Sequence, residues 1–230
     1  MDALRKPGRI AGLWFIATFV FSIPAVLLYD PVLNDTGYVF GMGSETRVGV
    51  GAVLEVLLAI SNIATAVVFF PVLKHVKESV ALGYVASRIT ESAIIVTGLM
   101  SLLTVTTLRD DVGGAGSRSA PVDLAARAMV GLHDWTFTLG PQLCAGFGNG
   151  ILLGYLMYRS GLVPSRMALL GLVGGPLAFL GGILVILGAI DNPSATLFAL
   201  TIVEIAWEAS LALYLTISGY RESPLLGTTT

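Results

Sequence analysis

The chain alternates between long apolar segments and short polar ones. Six segments stay apolar over about 20 residues, the length that an α-helix needs to cross the hydrocarbon core of a bilayer. They are residues 10–28, 48–70, 80–106, 129–158, 167–190 and 195–218. We therefore predict six transmembrane helices. Pro141 lies inside the fourth helix and is expected to kink it, since proline removes a backbone donor and clashes with the preceding turn.

The polar segments alternate in the sign of their charge. Basic residues precede the first helix, separate the second from the third and the fourth from the fifth, and follow the sixth. They are Arg5, Lys6, Arg9, Lys74, Lys77, Arg159, Arg166 and Arg221. The intervening segments carry mainly Asp and Glu. Because basic loops stay on the cytoplasmic side, we predict that both termini are cytoplasmic. The first helix is expected to be retained, since no small-residue cleavage site ends it.

Composition agrees with an integral membrane protein. Of the 230 residues, 55% are hydrophobic and only 12% are charged, whereas soluble domains carry about 25% charged residues. We expect one all-α transmembrane domain over residues 1–230, with membrane lipids as its surroundings and its oligomeric state open. The formal net charge of -2 provides no basic surface for nucleic acid. The single cysteine, Cys144, excludes an internal disulfide.

Several ionisable residues fall inside the predicted helices. They are Glu55, Glu91, Asp134, Glu204 and Glu208, with Arg88 and His133 as companions. A charged side chain at the bilayer centre costs about 2.5–3.5 kcal/mol on insertion scales, so such residues mark a functional site by default. Glu204 and Glu208 lie one turn apart and repel each other unless one is protonated. We predict that one of them carries a proton near neutral pH.

Helical spacing groups the polar residues on one face of each of four helices. The four faces carry Gly51, Glu55 and Asn62; Tyr84, Arg88 and Glu91; Asp134, Thr138 and Asn149; and Thr201, Glu204 and Glu208. The economical arrangement turns all four faces inward. We therefore predict that Glu55, Glu91, Asp134 and Glu204 line one cavity, which descends from the outer surface to the middle of the bilayer.

An ordered set of short motifs covers nearly the whole chain. It consists of Gly8-Arg9-Ile10-Ala11-Gly12, Leu54-Glu55, Ala81-Leu82-Gly83-Tyr84 with Arg88 and Glu91, His133-Asp134-Trp135, Leu139-Gly140-Pro141, Tyr158-Arg159-Ser160, Leu162-Val163-Pro164 and Glu204. The set resembles the bacterial membrane family labelled domain of unknown function 4386 (DUF4386), from about Arg9 to Gly219. The resemblance implies a six-helix protein of the bacterial cell membrane and brings no established substrate or reaction. His133 departs from the family's pattern, in which arginine often precedes the Asp-Trp pair.

A buried acidic pocket favours a membrane-embedded enzyme. It would do proton-initiated, acid–base chemistry on a lipophilic substrate such as an isoprenoid or a lipid, like terpenoid cyclases by analogy only. Glu204 or Glu208 would be the general acid, and Asp134 or Glu55 a base or cation stabiliser. Arg88 would hold Glu91 ionised. The predicted substrate-binding residues are Arg88, His133, Trp207, Tyr84 and Asn62.

Two other classes of function remain open. Buried acids also relay protons in transporters, although the chain shows no obvious inverted repeats with interrupted helices. The third class is a structural or partner-binding membrane subunit. We predict no cofactor, and no metal either, because no two histidines have the spacing of metal ligands.

Overall fold

The structure is a computed structural model that describes residues 2–35, 37–112 and 119–223. Regular structure within these ranges is helical throughout. The helices are α1 (Asp2–Leu28), α2 (Asp30–Asn34), α3 (Glu45–Val112), α4 (Ala120–Phe137), α5 (Gly154–Ser160), α6 (Ser165–Ile186) and α7 (Ala195–Ser218). A 3₁₀ turn at Tyr38–Phe40 lies between α2 and α3, and two π-helical segments, Thr138–Cys144 and Gly146–Leu153, join α4 to α5.

Four stretches of helix are long and apolar enough to cross a membrane, as in a membrane protein. They are Leu4–Leu28, Glu45–Val112, Ser165–Ile186 and Ala195–Ser218. The predicted first and sixth segments lie within α1 and α7, and the predicted fifth segment ends four residues later than α6 does. The count of six crossings stays a prediction.

The 68-residue α3 is a hairpin of two helical limbs. The backbone of Lys77 is extended (φ −161°, ψ 102°), which interrupts the helix. Side chains on either side of it pair in reverse order: Ser92 Oγ donates to Ala59 O over 3.2 Å, and Tyr84 Oη donates to Thr65 Oγ1 over 3.4 Å. The first limb (residues 45–76) and the second limb (residues 78–112) are therefore antiparallel. They contain the predicted second and third helices.

The predicted fourth helix corresponds to a continuous helical run over residues 120–160. Pro141 lies in the first π-helical segment. Because proline has no backbone N–H, it cannot complete the α-helical hydrogen bond to the preceding turn. The backbone at this point is widened to a π-helix, whose hydrogen bonds span five residues instead of four. The widening changes which side chains share a face on either side of Pro141.

The basic segments meet at one end of the molecule, here called the basic end. Gly8 packs against the backbone of Tyr220, and Arg221 N donates to Leu162 O over 2.8 Å. A large apolar core fills this end and reaches the hairpin turn of α3 through Leu73. The core includes Phe15, Phe69, Leu73, Met157, Leu162, Trp207 and Leu211.

The opposite end, here called the acidic end, holds a second apolar core between α1, α3 and α4. This core includes Tyr29, Val32, Tyr38, Val48, Leu102 and Ala126. Around it lie Asp30, Asp35, Glu45, Asp110, Asp111 and Asp123. The polar residues discussed next lie between the two cores.

Candidate functional site

A closed network of buried hydrogen bonds surrounds Arg88. Its Nη1 donates to Glu91 Oε2 over 2.6 Å, its Nη2 donates to Asn62 Oδ1, and its Nε donates to Thr65 Oγ1 over 3.3 Å. Asn62 Nδ2 donates to the other oxygen of Glu91 over 3.2 Å. Tyr84 Oη reaches Thr65, and all five side chains are buried. We call these five residues the Arg88 network.

The α3 hairpin positions this network. Arg88 and Glu91 are three residues apart on the second limb, and Asn62 and Thr65 are three residues apart on the first, so each pair shares a face. Antiparallel packing brings the two faces together. The Phe15 ring of α1 lies 5.8 Å from the guanidinium carbon of Arg88 and covers it. The charge of Arg88 is therefore fixed between three helices.

A second set of contacts joins α7 to the two π-helical segments, Thr138–Cys144 and Gly146–Leu153, here together called the π-helical run. Asn149 Nδ2 donates to Glu208 Oε1 over 2.5 Å, and Trp207 Nε1 donates to Asn149 O over 2.9 Å. Trp207 is fully buried against Gly171, where an added Cβ would lie 2.7 Å from the indole. Glu208 is half-buried. These contacts fix one turn of α7 beside the polar face of the π-helical run.

Glu204 lies one turn before Glu208 and has different surroundings. Its residue is 3% exposed, and neither carboxyl oxygen has a hydrogen-bond partner among the described residues. A Cβ on Gly150 would lie 2.6 Å from Glu204 Oε2, and one on Gly174 would lie 2.6 Å from Glu204 N. Glycine backbone therefore forms the wall around this carboxyl group. An unpartnered buried carboxyl group is the most unusual feature of the interior.

The two sets of side chains are electrostatically coupled. Glu208 interacts with both Arg88 and Glu91, and Glu204 interacts with Glu208. Glu208 and Arg88 each lie about ten residues from the basic end of their helix, which is about 15 Å along the axis. We call the Arg88 network together with Glu204 and Glu208 the acid cluster. Glu91 and Glu204 lie three and four residues farther from the basic end, so the cluster spans about 6 Å along the axis.

A polar path leads from the acid cluster toward the acidic end. Gln142 Nε2 donates to Thr201 Oγ1 over 2.9 Å, one turn before Glu204. Farther along, Asn192 Nδ2 donates to Thr138 Oγ1 over 3.0 Å. In the opposite direction the side chains belong to the apolar core of the basic end. The cluster thus has polar neighbours on one side and apolar packing on the other.

A separate polar group lies near the acidic end, between α1, α3 and α4. Tyr29 Oη donates to Glu55 Oε2 over 2.7 Å, and the His133 ring lies edge-on to Tyr29 at 5.8 Å between ring centres. Glu55 precedes Asn62 by seven residues, so it lies about 10 Å from the Arg88 network along the first limb. Glu55 and His133 therefore form a site distinct from the acid cluster.

The residues that were expected to line one cavity thus form two separate groups in the structure. The acid cluster brings together Glu91, Glu204 and Glu208 with Arg88, Tyr84 and Asn62, and Trp207 lies beside it. Asp134 is not buried in either group, because 65% of its side chain is exposed. Its exposure corrects the expectation that it faces inward with Glu55, Glu91 and Glu204.

Sequence reasoning overlooked several residues of the two sites. Thr65 follows Asn62 by three residues and Gln142 follows Thr138 by four, so helical spacing was a usable signal for both. Tyr29 gave no signal, because it lies outside the predicted first helix and reaches Glu55 from the end of α1. In the part of the chain that the structure describes, no three His, Cys, Asp or Glu side chains are grouped so that they could hold a metal ion.

A side chain near the acidic end fixes the segment between α2 and α3. Arg109 Nη1 donates to Tyr38 O and Met42 O, and Arg109 Nη2 donates to Gly41 O and Gly43 O, over 2.6–3.2 Å. Its guanidinium carbon lies 4.6 Å from the centre of the Tyr38 ring. Burial raises the pKa of the Tyr38 phenol, and Arg109 lowers it in part. The charge of Arg109 is thus directed at backbone carbonyls.

One comparison with known proteins identifies the family. The family model described as domain of unknown function (DUF4386) matches residues 10–219, so the chain belongs to that family. No curated protein and no solved structure matches the chain.

Proposed function

We propose that this member of the DUF4386 family is a membrane-embedded enzyme that does acid–base chemistry on a lipophilic substrate, with Glu204 as the protonated acid. One observation carries the proposal: the Glu204 carboxyl group is buried and neither of its oxygens has a partner among the described residues. The neighbouring acids Glu91 and Glu208, in contrast, both accept hydrogen bonds.

The balance of charge supports Glu204 as the protonated acid. The acid cluster contains three acids but one basic side chain, Arg88, which interacts with Glu91 and Glu208. Glu91 is paired with Arg88 directly, and Glu208 accepts from Asn149 and lies within reach of the charge of Arg88. An ionised carboxylate without a donor in an apolar interior is strongly unfavourable. The neutral form of Glu204 avoids that cost.

A neutral carboxylic acid in an apolar pocket is a proton donor. In the proposed reaction Glu204 protonates an electron-rich bond of the substrate. Glu208 and Glu91 then stabilise the positive charge that develops, because fixed charges act strongly where water is excluded. Return of a proton from the substrate to Glu204 completes the cycle without a net change in the charge of the cluster.

The surroundings of the acid cluster favour an enzyme over a transporter. Polar side chains lead to it from the acidic end, whereas the apolar core of the basic end lies beyond it. An enzyme needs one entrance, but a transporter must expose its site to both membrane faces. With six crossings in the cell membrane and the basic end in the cytoplasm, as the positive-inside rule favours, we place the substrate entrance of the proposed enzyme on the outer side.

Solvent deuterium provides a test, because protonation at carbon leaves a label in the lipid. The purified protein in lipid nanodiscs is incubated in deuterated water with a bacterial polar lipid extract, geranylgeraniol and squalene, and the lipids are analysed by mass spectrometry. We expect the wild type to label at least one lipid and Glu204→Gln to label none. Glu78→Gln, which makes the same change at an exposed position, is the matched control. No label in any of these lipids with folded wild-type protein contradicts the enzyme proposal.

The same variants distinguish transport from catalysis. In liposomes loaded with a pH-sensitive dye, a proton-coupled transporter moves protons down an imposed gradient, and Glu204→Gln stops this movement. Proton flux that depends on Glu204, without deuterium in any lipid, replaces the enzyme proposal with transport. The absence of both activities favours the structural subunit.

A further inference from the structure

The polar group near the acidic end has the features of a second binding site. We call Tyr29, Glu55 and His133 the Tyr29 site. Two glycines bring its walls together: a Cβ on Gly51 would lie 2.8 Å from Tyr29 Cε1, and one on Gly98 would lie 3.4 Å from His133 Cδ2. The aromatic rings of Tyr29 and His133 thus lie close against the two limbs of α3, with the Glu55 carboxyl group beside them.

One polar atom of the Tyr29 site has no partner among the described residues, and a second group, Glu55, has a single donor. His133 is 7% exposed, and its Nδ1 has no hydrogen-bond partner among the described residues. The nearest acid oxygen, Asp134 Oδ1, is 3.8 Å from it, which is longer than a hydrogen bond. Within the described part of the chain, Glu55 accepts a hydrogen bond from Tyr29 alone. Because buried polar groups in native proteins are nearly always paired, the buried Nδ1 of His133 points to a missing donor, and the half-buried Glu55 beside it can accept a further hydrogen bond.

The arginines that the structure describes near this end are directed elsewhere. Arg109 donates to four backbone carbonyls, and Arg47 Nη2 donates to Leu27 O over 3.1 Å. Arg127 pairs with Asp123 at the surface over 2.8 Å. Among the described residues Glu55 therefore has no arginine partner, and the exposed Asp134 adds a second acid beside the site.

We propose that the Tyr29 site binds a protonated amine. An ammonium group carries several N–H donors and no acceptor, which suits the free oxygen of Glu55 and Nδ1 of a neutral His133. Its charge complements Glu55, and the rings of Tyr29 and His133 offer aromatic surface for a cation. The acids around the acidic end raise the local concentration of cations.

The depth of the site suits an amine on an amphiphile. Glu55 lies ten residues after the first residue of α3, or about 15 Å along the helix. The first limb is longer than the hydrocarbon core, so this position falls near the boundary between headgroups and acyl chains. The ammonium group therefore comes either from a lipid headgroup or from an amphiphilic amine taken up from solution.

Nitrogen NMR of the two histidines tests the proposal directly. The full chain, labelled with ¹⁵N-histidine, is placed in nanodiscs of phosphatidylglycerol, which has no amine, and titrated with octylamine. We expect a saturable shift of the His133 signals and none for His75, which is exposed at the basic end. Octanol, which partitions without a charge, is expected to leave both histidines unchanged.

Variants assign the effect to the site. Glu55→Gln is expected to weaken the apparent affinity for octylamine by about tenfold or more, as for the loss of one charge-assisted contact, while Glu78→Gln leaves it unchanged. If Glu55→Gln does not fold, Tyr29→Phe serves in its place, because it removes the hydroxyl that positions Glu55 and keeps the ring. The absence of a saturable shift in the wild type, or equal affinity in the Glu55 or Tyr29 variant, overturns the proposal.

A second arm distinguishes the two sources of the amine. In nanodiscs of phosphatidylethanolamine without octylamine, a His133 signal that is already shifted assigns the site to the lipid headgroup. A signal equal to that in phosphatidylglycerol assigns it to a soluble amphiphile. Neither arm uses the acid cluster, so the result is independent of the proposed enzyme activity.

Discussion

Arg88 organises the interior through its five N–H donors. It bonds to side chains of both limbs of α3 and lies within electrostatic reach of Glu208 on α7. The cost of burying this charge is offset by its pairing with Glu91 and by the acceptors Asn62 and Thr65. Removal of one partner leaves the other charge buried without compensation, which is more costly than removal of both.

At the residue scale, Arg88→Met is therefore expected to lower the free energy of unfolding by about 3–5 kcal/mol. The double variant Arg88→Met with Glu91→Met is expected to recover most of that loss, because no unpaired charge remains. Unfolding in detergent micelles, followed by circular dichroism, gives the comparison. Arg127→Met removes one partner of the exposed pair with Asp123 and serves as control, with a loss below about 1 kcal/mol. Equal losses for Arg88→Met and Arg127→Met contradict this account.

The sequence identified some contacts of the site and not others, for local reasons. Arg88 and Glu91 are three residues apart on one helix, so their pairing followed from helical geometry. The contact between Tyr29 and Glu55 depends on how the end of α1 packs against α3, which no spacing within one helix can indicate. Asp134 was assigned to the face of Asn149 by α-helical spacing. The π-helical segments between the two residues have more residues per turn, so Asp134 and Asn149 no longer share a face.

At the element scale, glycines allow α6 to approach α7 and the π-helical run. A Cβ on Gly174 would lie 2.6 Å from Glu204 N, and one on Gly175 would lie 2.6 Å from Gly146 O. Both contacts are to backbone, so no side chain can rotate away to make room. Small residues at helix interfaces play this part in membranes, where no water drives association. The same close packing places the Glu204 carboxyl group against Gly150.

Gly174→Ala is therefore expected to separate α6 from α7 and to lower stability by about 1–3 kcal/mol, the usual cost of overpacking. Gly131→Ala is the matched control, because a Cβ there meets no atom within 4 Å. The control is expected to keep or slightly raise stability, since alanine favours helix over glycine. Thermal unfolding in the same detergent provides the measurement. A Gly174→Ala protein as stable as the Gly131→Ala protein contradicts the packing described here.

At the scale of the whole molecule, the two ends differ in charge and in core. The basic end gathers Lys77, Arg159, Arg166 and Arg221 around one apolar core, and the acidic end has its own core beneath the segment that Arg109 fixes. Hydropathy was sufficient to predict an all-helical bundle and most helix positions. It could not show the division of the polar residues into two sites, because that depends on how helices distant in sequence rotate against one another.

Cysteine labelling in intact cells tests the orientation of the two ends. In a Cys144→Ala background, Asp191→Cys at the acidic end is expected to react with a membrane-impermeant maleimide. Lys77→Cys, at the hairpin turn of α3, is expected to react only after permeabilisation, because basic loops stay in the cytoplasm. Reaction of Lys77→Cys in intact cells contradicts the proposed topology.

The central claim is that Glu204 holds a proton inside the membrane. Infrared spectroscopy of the carboxyl stretch tests it most directly, in the wild type, Glu204→Gln and Glu208→Gln. We predict a protonated carboxyl band between about pH 6 and pH 8, where an unperturbed glutamate with a pKa of about 4.3 is ionised. The band is expected to remain in Glu208→Gln and to disappear in Glu204→Gln. The absence of this band from the wild type, or its persistence in Glu204→Gln, contradicts the account.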